Sequence, residues 1–583
     1  MSVPPDKARE ALGLFNAQGQ PTYKWGLTST NLADQVRLVL PPMKVLPVIF
    51  IPGIMGSNLM DLNGDEVWRL DTTFGKPLGL ARKMAFANSA ERQRLMHPAR
   101  TRVDPGGSVP SKIKGSVSNK SQYSTQRFWG EVAESSYHGF LLWLEDRLNG
   151  QGFNPARWND FSYLAFSAAP KPGERPPEPK LHPGIPMDMR GFNPSTYADT
   201  RGENPFSVLG GVTSDDLLKR AKFRMPVYAC GYNWLASNTI GAERLQERIE
   251  QVIKSNNGNG FKCEQVVLVT HSMGGLVARR CVSLPGMSEK IAGIVHGVMP
   301  AVGAAVAYRR CKVGMKDESY VAGLVIGSNG QEVTAVFSQA PGALQLLPTA
   351  EYRAKWLKVK DASGKEIEVQ PTQNPYDDIY LRRDRWWCLI REEWLRPAGG
   401  RPLSWDQFAS NIKESRSFHK QIQGQYHPVT YVYYGADSKH ASFETIRWKM
   451  RAGAKPDNKP APSADQVRNM RFDQVRDDGS NPLHVGGKTE VVTSYNPYGG
   501  GAYSTYQSSY WELEAEKQDG GGDGTVPISS GKAPLLSASN NGHIRQQFRM
   551  TGFEHEPSYQ NASAQLATLY SINKIAAAAK LSS

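Results

Sequence analysis

The chain has little cysteine and no long apolar run, and both shortages narrow what it can be. Its five cysteines, Cys230, Cys263, Cys281, Cys311 and Cys388, are odd in number, widely spaced and nowhere arranged as Cys-x-x-Cys. Neither a disulfide framework nor a zinc site is expected. A membrane-spanning helix needs roughly 18 consecutive apolar residues, and the nearest approach, Ile291 to Tyr308, is broken by His296 and Pro300. The opening MSVPPDKAREALGLFN has no basic segment followed by an apolar block, so no Sec-type leader is expected and synthesis in the cytoplasm is. Acidic residues are scarce over one stretch. Between Lys76 and Arg127, eleven Lys and Arg side chains face only Glu91 and Asp104, an excess of nine positive charges in a chain of net charge +14. Such a stretch attracts polyanions, but no nucleic-acid-binding signature accompanies it, so no nucleic-acid partner is expected. Close to an anionic membrane each basic residue contributes about 1 kcal/mol. The choice is therefore between a lipid-facing segment and an ordinary solvated face.

What is present suffices for a sizeable core: 583 residues, 39% of them hydrophobic and 21% charged. That length suggests two to four domains, or one α/β body with long insertions. The most informative stretch is QVVLVTHSMGGLVARR, Gln265 to Arg280. Val266 to Val269 form a short, continuous apolar run suited to a parallel strand buried on both faces. Gly274 and Gly275 then open a helical pattern, with Leu276, Val277, Cys281 and Val282 on one side and Arg279 and Arg280 on the other. Strand, sharp turn, helix is the setting of a nucleophile elbow, which makes Ser272 the candidate nucleophile. The usual glycine two residues before the serine is replaced by Thr270, a residue at home at a strand end and read here as a tolerated variant. His271 is read as structural, its side chain directed away from that of Ser272.

Other core strands are expected at Pro47–Ile51, Pro226–Trp234, Ile291–Val298, Val429–Tyr434 and Ile544–Met550, with helices at Ser136–Leu148, Gly241–Ile253 and about Asn561–Lys580. The pattern implies an α/β-hydrolase fold, a mostly parallel sheet flanked by helices, with large insertions forming a cap or lid. The core is assigned to 40–60, 136–150, 225–300, 426–437 and 520–583, after an N-terminal segment 1–39. Insertions occupy 61–135, the basic one, and 151–224, which contains the Pro-rich and charged run 169–186. A cap insertion spans 301–425, and a polar Gly/Tyr-rich insertion spans 438–519. The tryptophan-rich run YLRRDRWWCLIREEW, Tyr380 to Trp394, fits a lid over an apolar cleft or at a lipid interface, where Trp is favoured. Core packing explains it nearly as well.

A serine hydroxyl needs an imidazole as base and a carboxylate to fix that imidazole's tautomer. In this fold class the chain order is serine, acid, histidine. His555, directly after the last strand, is the candidate base, with His543, in the loop before that strand, as alternative. Asp437 follows the strand VTYVYYGA, and Asp523 lies in the glycine-flanked turn GGGDGTVPISS; both are candidate acids. An oxyanion needs main-chain N–H donors in place beforehand. Met273 is one, and the PGIMG turn supplies the other, Ile54 with Met55 as alternative.

With these pieces in order, the chain resembles lipases of the lecithin:cholesterol acyltransferase and GPI-inositol-deacylase-like group, through VIFIPGIMGSNL, YACGYNW, THSMGGLVAR, YYGADS and GGDGTVPISS. The resemblance implies Asp523 as the acid. THSMGG and GFEHEPSYQN are most similar to the phospholipase effectors that bacteria deliver through the type VI secretion system. That implies hydrolysis of membrane glycerophospholipids without metal or cofactor, contact with spike components, action at the membranes or in the periplasm of a target cell, and a cognate immunity protein. Two other readings remain: an acyltransferase or neutral-lipid esterase with the same triad, and a non-catalytic membrane-binding module on a hydrolase scaffold.

Overall fold

The computed structural model describes residues 43–70, 87–109, 122–149, 210–220, 222–258, 261–316, 326–453, 460–486, 511–536 and 542–579, with the course of a few short strands within 9–39 and 491–506. The Pro-rich run 169–186 and much of the basic stretch lie outside the described residues.

Six parallel strands form the central sheet: β1 (Val48–Ile51), β2 (Val227–Ala229), β3 (Val266–His271), β4 (Ile291–Gly297), β5 (Thr430–Gly435) and β6 (Ile544–Met550), in the order β2-β1-β3-β4-β5-β6. Five of the six lie within two residues of the expected spans, because strands covered on both faces read as unbroken apolar runs; the expected strand Pro226–Trp234 is cut back to Val227–Ala229. Alternate side chains serve opposite layers. Ile49, Ile51, Leu268 and Ile294 pack into one cluster, and Val48, Phe50, Val267, Val269, Tyr433 and Phe548 into the other.

The first layer is covered by α2 (Asn238–Ser255) and α3 (Gly274–Val282), the second by α1 (Gly139–Asn149) and α5 (Ala562–Ala578). Ala242, Leu245, Ile249 and Val252 recur at helical spacing on the buried side of α2, and Ser237 caps its first turn. Asn561 does the same for α5 by accepting from the N–H groups of Ser563 and Ala564.

The excursions 301–425 and 438–519, kept apart in the sequence reading, share a second six-stranded sheet. Its order is Glu366–Gln370, Leu357–Lys360, Ile446–Ala452, Trp511–Ala515, Leu483–Val485, Val475–Arg476. Between the two excursions, Lys312 and Asp477 form an ion pair at 2.7 Å with both side chains fully buried. The helix α4 (Trp405–Ile422) lies in the first excursion, capped by Ser404.

Here the tryptophan-rich run settles as interior. Trp386, Trp387 and Trp394 are buried, the indole N–H groups of Trp386 and Trp387 donate to the carbonyls of Val467 and Arg468, and Trp386 meets Trp448 edge-on at 5.5 Å. These rings therefore do not form a lipid-facing belt. The basic stretch is also partly internal: Arg92 and Arg127 are buried, facing Glu332 and Glu145. All five cysteines are buried and unbridged. Among the described residues no helix is long and apolar enough to cross a membrane.

Candidate active site

Ser272 follows the last residue of β3 with φ = 51°, a left-handed conformation that side-chain-bearing residues rarely adopt. Two features hold it there. The Ser272 N–H donates to the Gly297 carbonyl at 2.9 Å, and Gly274 lets the start of α3 press on the end of β1. A Cβ at position 274 would lie 2.5 Å from the Pro52 carbonyl oxygen and 2.6 Å from that of Ile51. Thr270, where a glycine is usual, is fully buried, and its hydroxyl pairs with His296 Nδ1 at 2.9 Å. The elbow thus accepts a threonine because the strand beside it supplies a polar partner.

His555 arrives from the loop after β6. Its Nε2 is 2.8 Å from Ser272 Oγ and its Nδ1 is 2.8 Å from Asp523 Oδ2. A carboxylate only accepts, so Nδ1 carries the proton and Nε2 is free to accept the serine proton. The other carboxylate oxygen of Asp523 accepts the N–H groups of Thr525 and Val526, and the Asp523 carbonyl accepts the N–H of His555 at 2.8 Å. Asp523 is 1% exposed, while the His555 side chain keeps 14% of its surface open. Gly435, at the end of β5, makes the room: a Cβ there would be 2.7 Å from that of Asp523.

The two alternatives sit elsewhere. The Asp437 carboxylate accepts from the N–H groups of Lys439 and Gly552, so it shapes the loop carrying His555 rather than touching the ring. His543 stands before the first residue of β6, at the opposite end of that strand from His555, with Nδ1 3.1 Å from the Tyr426 carbonyl.

The turn after β1 faces the serine. The N–H groups of Ile54, Met55 and Met273 make no hydrogen bond among the described residues, and both Ile54 and Met55 are half-buried. Met55 has φ = 64°. Its carbonyl is held by the Trp68 indole N–H at 2.7 Å, and the Gly56 N–H closes the turn on the Gly53 carbonyl at 3.1 Å. Donors fixed in this way can meet a developing oxyanion with little reorganisation.

His271, expected to be structural, has partners that its local sequence does not indicate. The His271 ring is directed away from Ser272 but not away from the site. Its Nε2 is 2.9 Å from the His555 carbonyl, and its Nδ1 is 3.0 Å from the Tyr137 hydroxyl. Burial lowers its pKa to about 3, so the ring is neutral at ordinary pH. Tyr137 belongs to a short helical turn before α1, and nothing in its local sequence signals a place beside the elbow.

Taken together, sheet, elbow and strand-end histidine define an α/β hydrolase. Residues 220–315, from β2 through the elbow and β4, match the family described as PGAP1-like alpha/beta domain. Over nearly its whole length the chain is similar to a chain in the crystal structure of the Tle4-Tli4 complex, with 28% identity, a TM-score of 0.67, and coverage of 92% of this chain and 99% of that one. No curated protein sequence matches.

Proposed function

We propose that the chain is a serine phospholipase that cleaves acyl esters of membrane glycerophospholipids. The observation that carries the reading is the unbroken line Ser272 Oγ, His555, Asp523, with both contacts at 2.8 Å, beside a turn in which the Ile54 and Met55 N–H groups make no hydrogen bond among the described residues. Ser272 Oγ attacks the ester carbonyl while its proton passes to His555 Nε2, and Asp523 stabilises the imidazolium. The N–H groups of Met273 and Ile54, with Met55 as the alternative second donor, receive the oxyanion. The imidazolium then protonates the departing lysolipid oxygen. A water activated by His555 breaks the acyl-enzyme and releases the fatty acid.

The biological setting rests on the similarity to the Tle4-Tli4 complex and on the motifs THSMGG and GFEHEPSYQN. We read the chain as a type VI secretion effector that is carried out with spike components, acts on the membranes of a target cell from the periplasm, and is neutralised in its producer by an immunity protein. The solved neighbour's presence in a two-protein complex supports the last point.

The test is mass spectrometry of products from vesicles of phosphatidylethanolamine and phosphatidylglycerol. Lysolipid and fatty acid are expected, with turnover about 10⁴-fold to 10⁶-fold lower for Ser272→Ala. Near-normal lipolysis by that variant sinks the proposal. Transfer of acyl chains to an added alcohol in preference to water would make the protein an acyltransferase instead.

A further inference from the structure

The His555 main chain is gripped on both sides. Its N–H donates to the Asp523 carbonyl at 2.8 Å and its carbonyl lies 2.9 Å from His271 Nε2. The second grip continues toward the oxyanion turn. Tyr137 Oη accepts the Gly53 N–H at 3.2 Å, which leaves its own proton for His271 Nδ1 at 3.0 Å. That assignment sets the His271 tautomer: Nδ1 accepts, so Nε2 carries the proton and donates to the His555 carbonyl. The chain therefore runs in one direction, Gly53 N–H to Tyr137 O–H to His271 N–H to the His555 carbonyl, and each member has one role.

We propose that His271 and Tyr137 are positioning residues that tie the oxyanion turn to the loop bearing the general base, so that His555 Nε2 and the N–H of Ile54 keep a fixed separation across Ser272. This rests on the hydrolase reading above and deepens it.

Three observations support a positioning role over simple filling of space. His271 and Tyr137 are 3% and 2% exposed, and each ring uses all the polar atoms it has, so little freedom remains. Gly53 is shaped around the imidazole, since a Cβ there would lie 2.8 Å from His271 Nδ1 and 3.0 Å from the Ser272 Cβ. Lastly, the chain bridges two segments, residues 53–56 and 551–556, that the central sheet does not join directly. The loop with His555 leaves β6 at the sheet's edge, whereas the turn leaves β1, separated from it by β3, β4 and β5. Asp437 and Asp523 brace the histidine loop and Trp68 braces the turn, but each of these braces holds one loop by itself, and the Tyr137–His271 chain is what sets the two relative to each other. A misplacement near 1 Å between catalytic groups can lower the rate about 10²-fold.

The test uses the full-length protein with p-nitrophenyl butyrate as a soluble ester, each preparation that keeps Ser272 normalised by titration with a fluorophosphonate that labels the active serine, and Ser272→Ala by protein concentration. Per titrated site, His271→Leu is expected to lower kcat about 10-fold to 100-fold with KM within twofold. His271→Gln, which offers one acceptor and one donor, should recover most of the loss; a merely space-filling residue would respond better to Leu than to Gln. Tyr137→Phe removes a single oxygen and should lower kcat several-fold without loss of fold. If His271→Leu folds and keeps kcat within twofold of wild type, the proposal is overturned. If it does not fold, Tyr137→Phe decides, and an unchanged kcat overturns it equally. Ser272→Ala separates the two readings. An active Ser272→Ala protein defeats the assignment of Ser272 as nucleophile and the positioning role with it, whereas an inactive one beside a fully active His271→Leu protein defeats the positioning role alone.

Discussion

The Asp437 carboxylate accepts the main-chain N–H of Gly552 at 2.9 Å, three residues before His555. The acid that follows β5 most directly is thus a brace for the histidine loop, and Asp523, delivered on a separate turn, meets the imidazole.

These two carboxylates should separate cleanly in kinetics. Asp523→Asn is expected to lower kcat about 10⁴-fold, since an amide favours the wrong tautomer of the base. Asp437→Asn should lower it less than tenfold, because an amide oxygen can still accept from Gly552. Steady-state ester hydrolysis by the two variants checks the ranking, and a greater loss at Asp437 would reassign the acid.

Gly274→Ala should damage the elbow itself. The new methyl would meet the main-chain oxygens of Ile51 and Pro52 at 2.5 to 2.6 Å, and neither can rotate away as a flexible side chain would. Overpacking of this kind costs typically about 1–3 kcal/mol. A lower midpoint in urea is expected together with poor labelling of Ser272 by a fluorophosphonate. Wild-type values for both would show that α3 can shift.

Lys312 and Asp477 pin the two excursions together inside the second sheet's layer. Lys312→Met leaves a buried carboxylate unpaired and should cost about 3–5 kcal/mol. Pairing it with Asp477→Leu should return much of that loss. Denaturant midpoints of the wild type, both single variants and the double variant measure the coupling.

Acid should weaken the fold through buried imidazoles. Desolvation lowers the pKa of His271 and His296 to about 3 and that of His419 to about 4, from an ordinary 6.5. The native rings stay neutral where the unfolded chain binds protons, so their contribution is fully present above pH 6.5. It is lost as pH falls from 6.5 toward 3. The urea midpoint should drop across that window. His419 lies outside the Ser272–His555–Asp523 cluster, with Nε2 2.8 Å from the Gln345 carbonyl, and His419→Gln should make the drop shallower. An unchanged slope in that variant would mean other groups govern acid stability.

The six core strands and the strand-turn-helix around Ser272 were legible in the linear chain because each is local, and the order of the residues proposed as nucleophile, acid and base needs only their positions along it. Apolar runs, glycine positions and order along the backbone survive without knowledge of what lies opposite. The choice between Asp437 and Asp523 was not local. It depends on the close approach of Gly435 to Asp523 and on the Gly552 N–H claiming the nearer carboxylate. The tryptophan-rich run was ambiguous for the same reason, since an aromatic stretch looks alike whether it meets lipid or another excursion's strands. His271 shows the limit most sharply. Alternation along β3 directs its ring away from Ser272, but only the return of residue 555 from the far edge of the sheet, and of Tyr137 from a separate helix, puts partners around it. Periodicity along one segment determined the scaffold. Contacts between segments hundreds of residues apart decided which polar atoms meet, because a hydrogen bond depends on distance in space and carries no trace of separation along the chain.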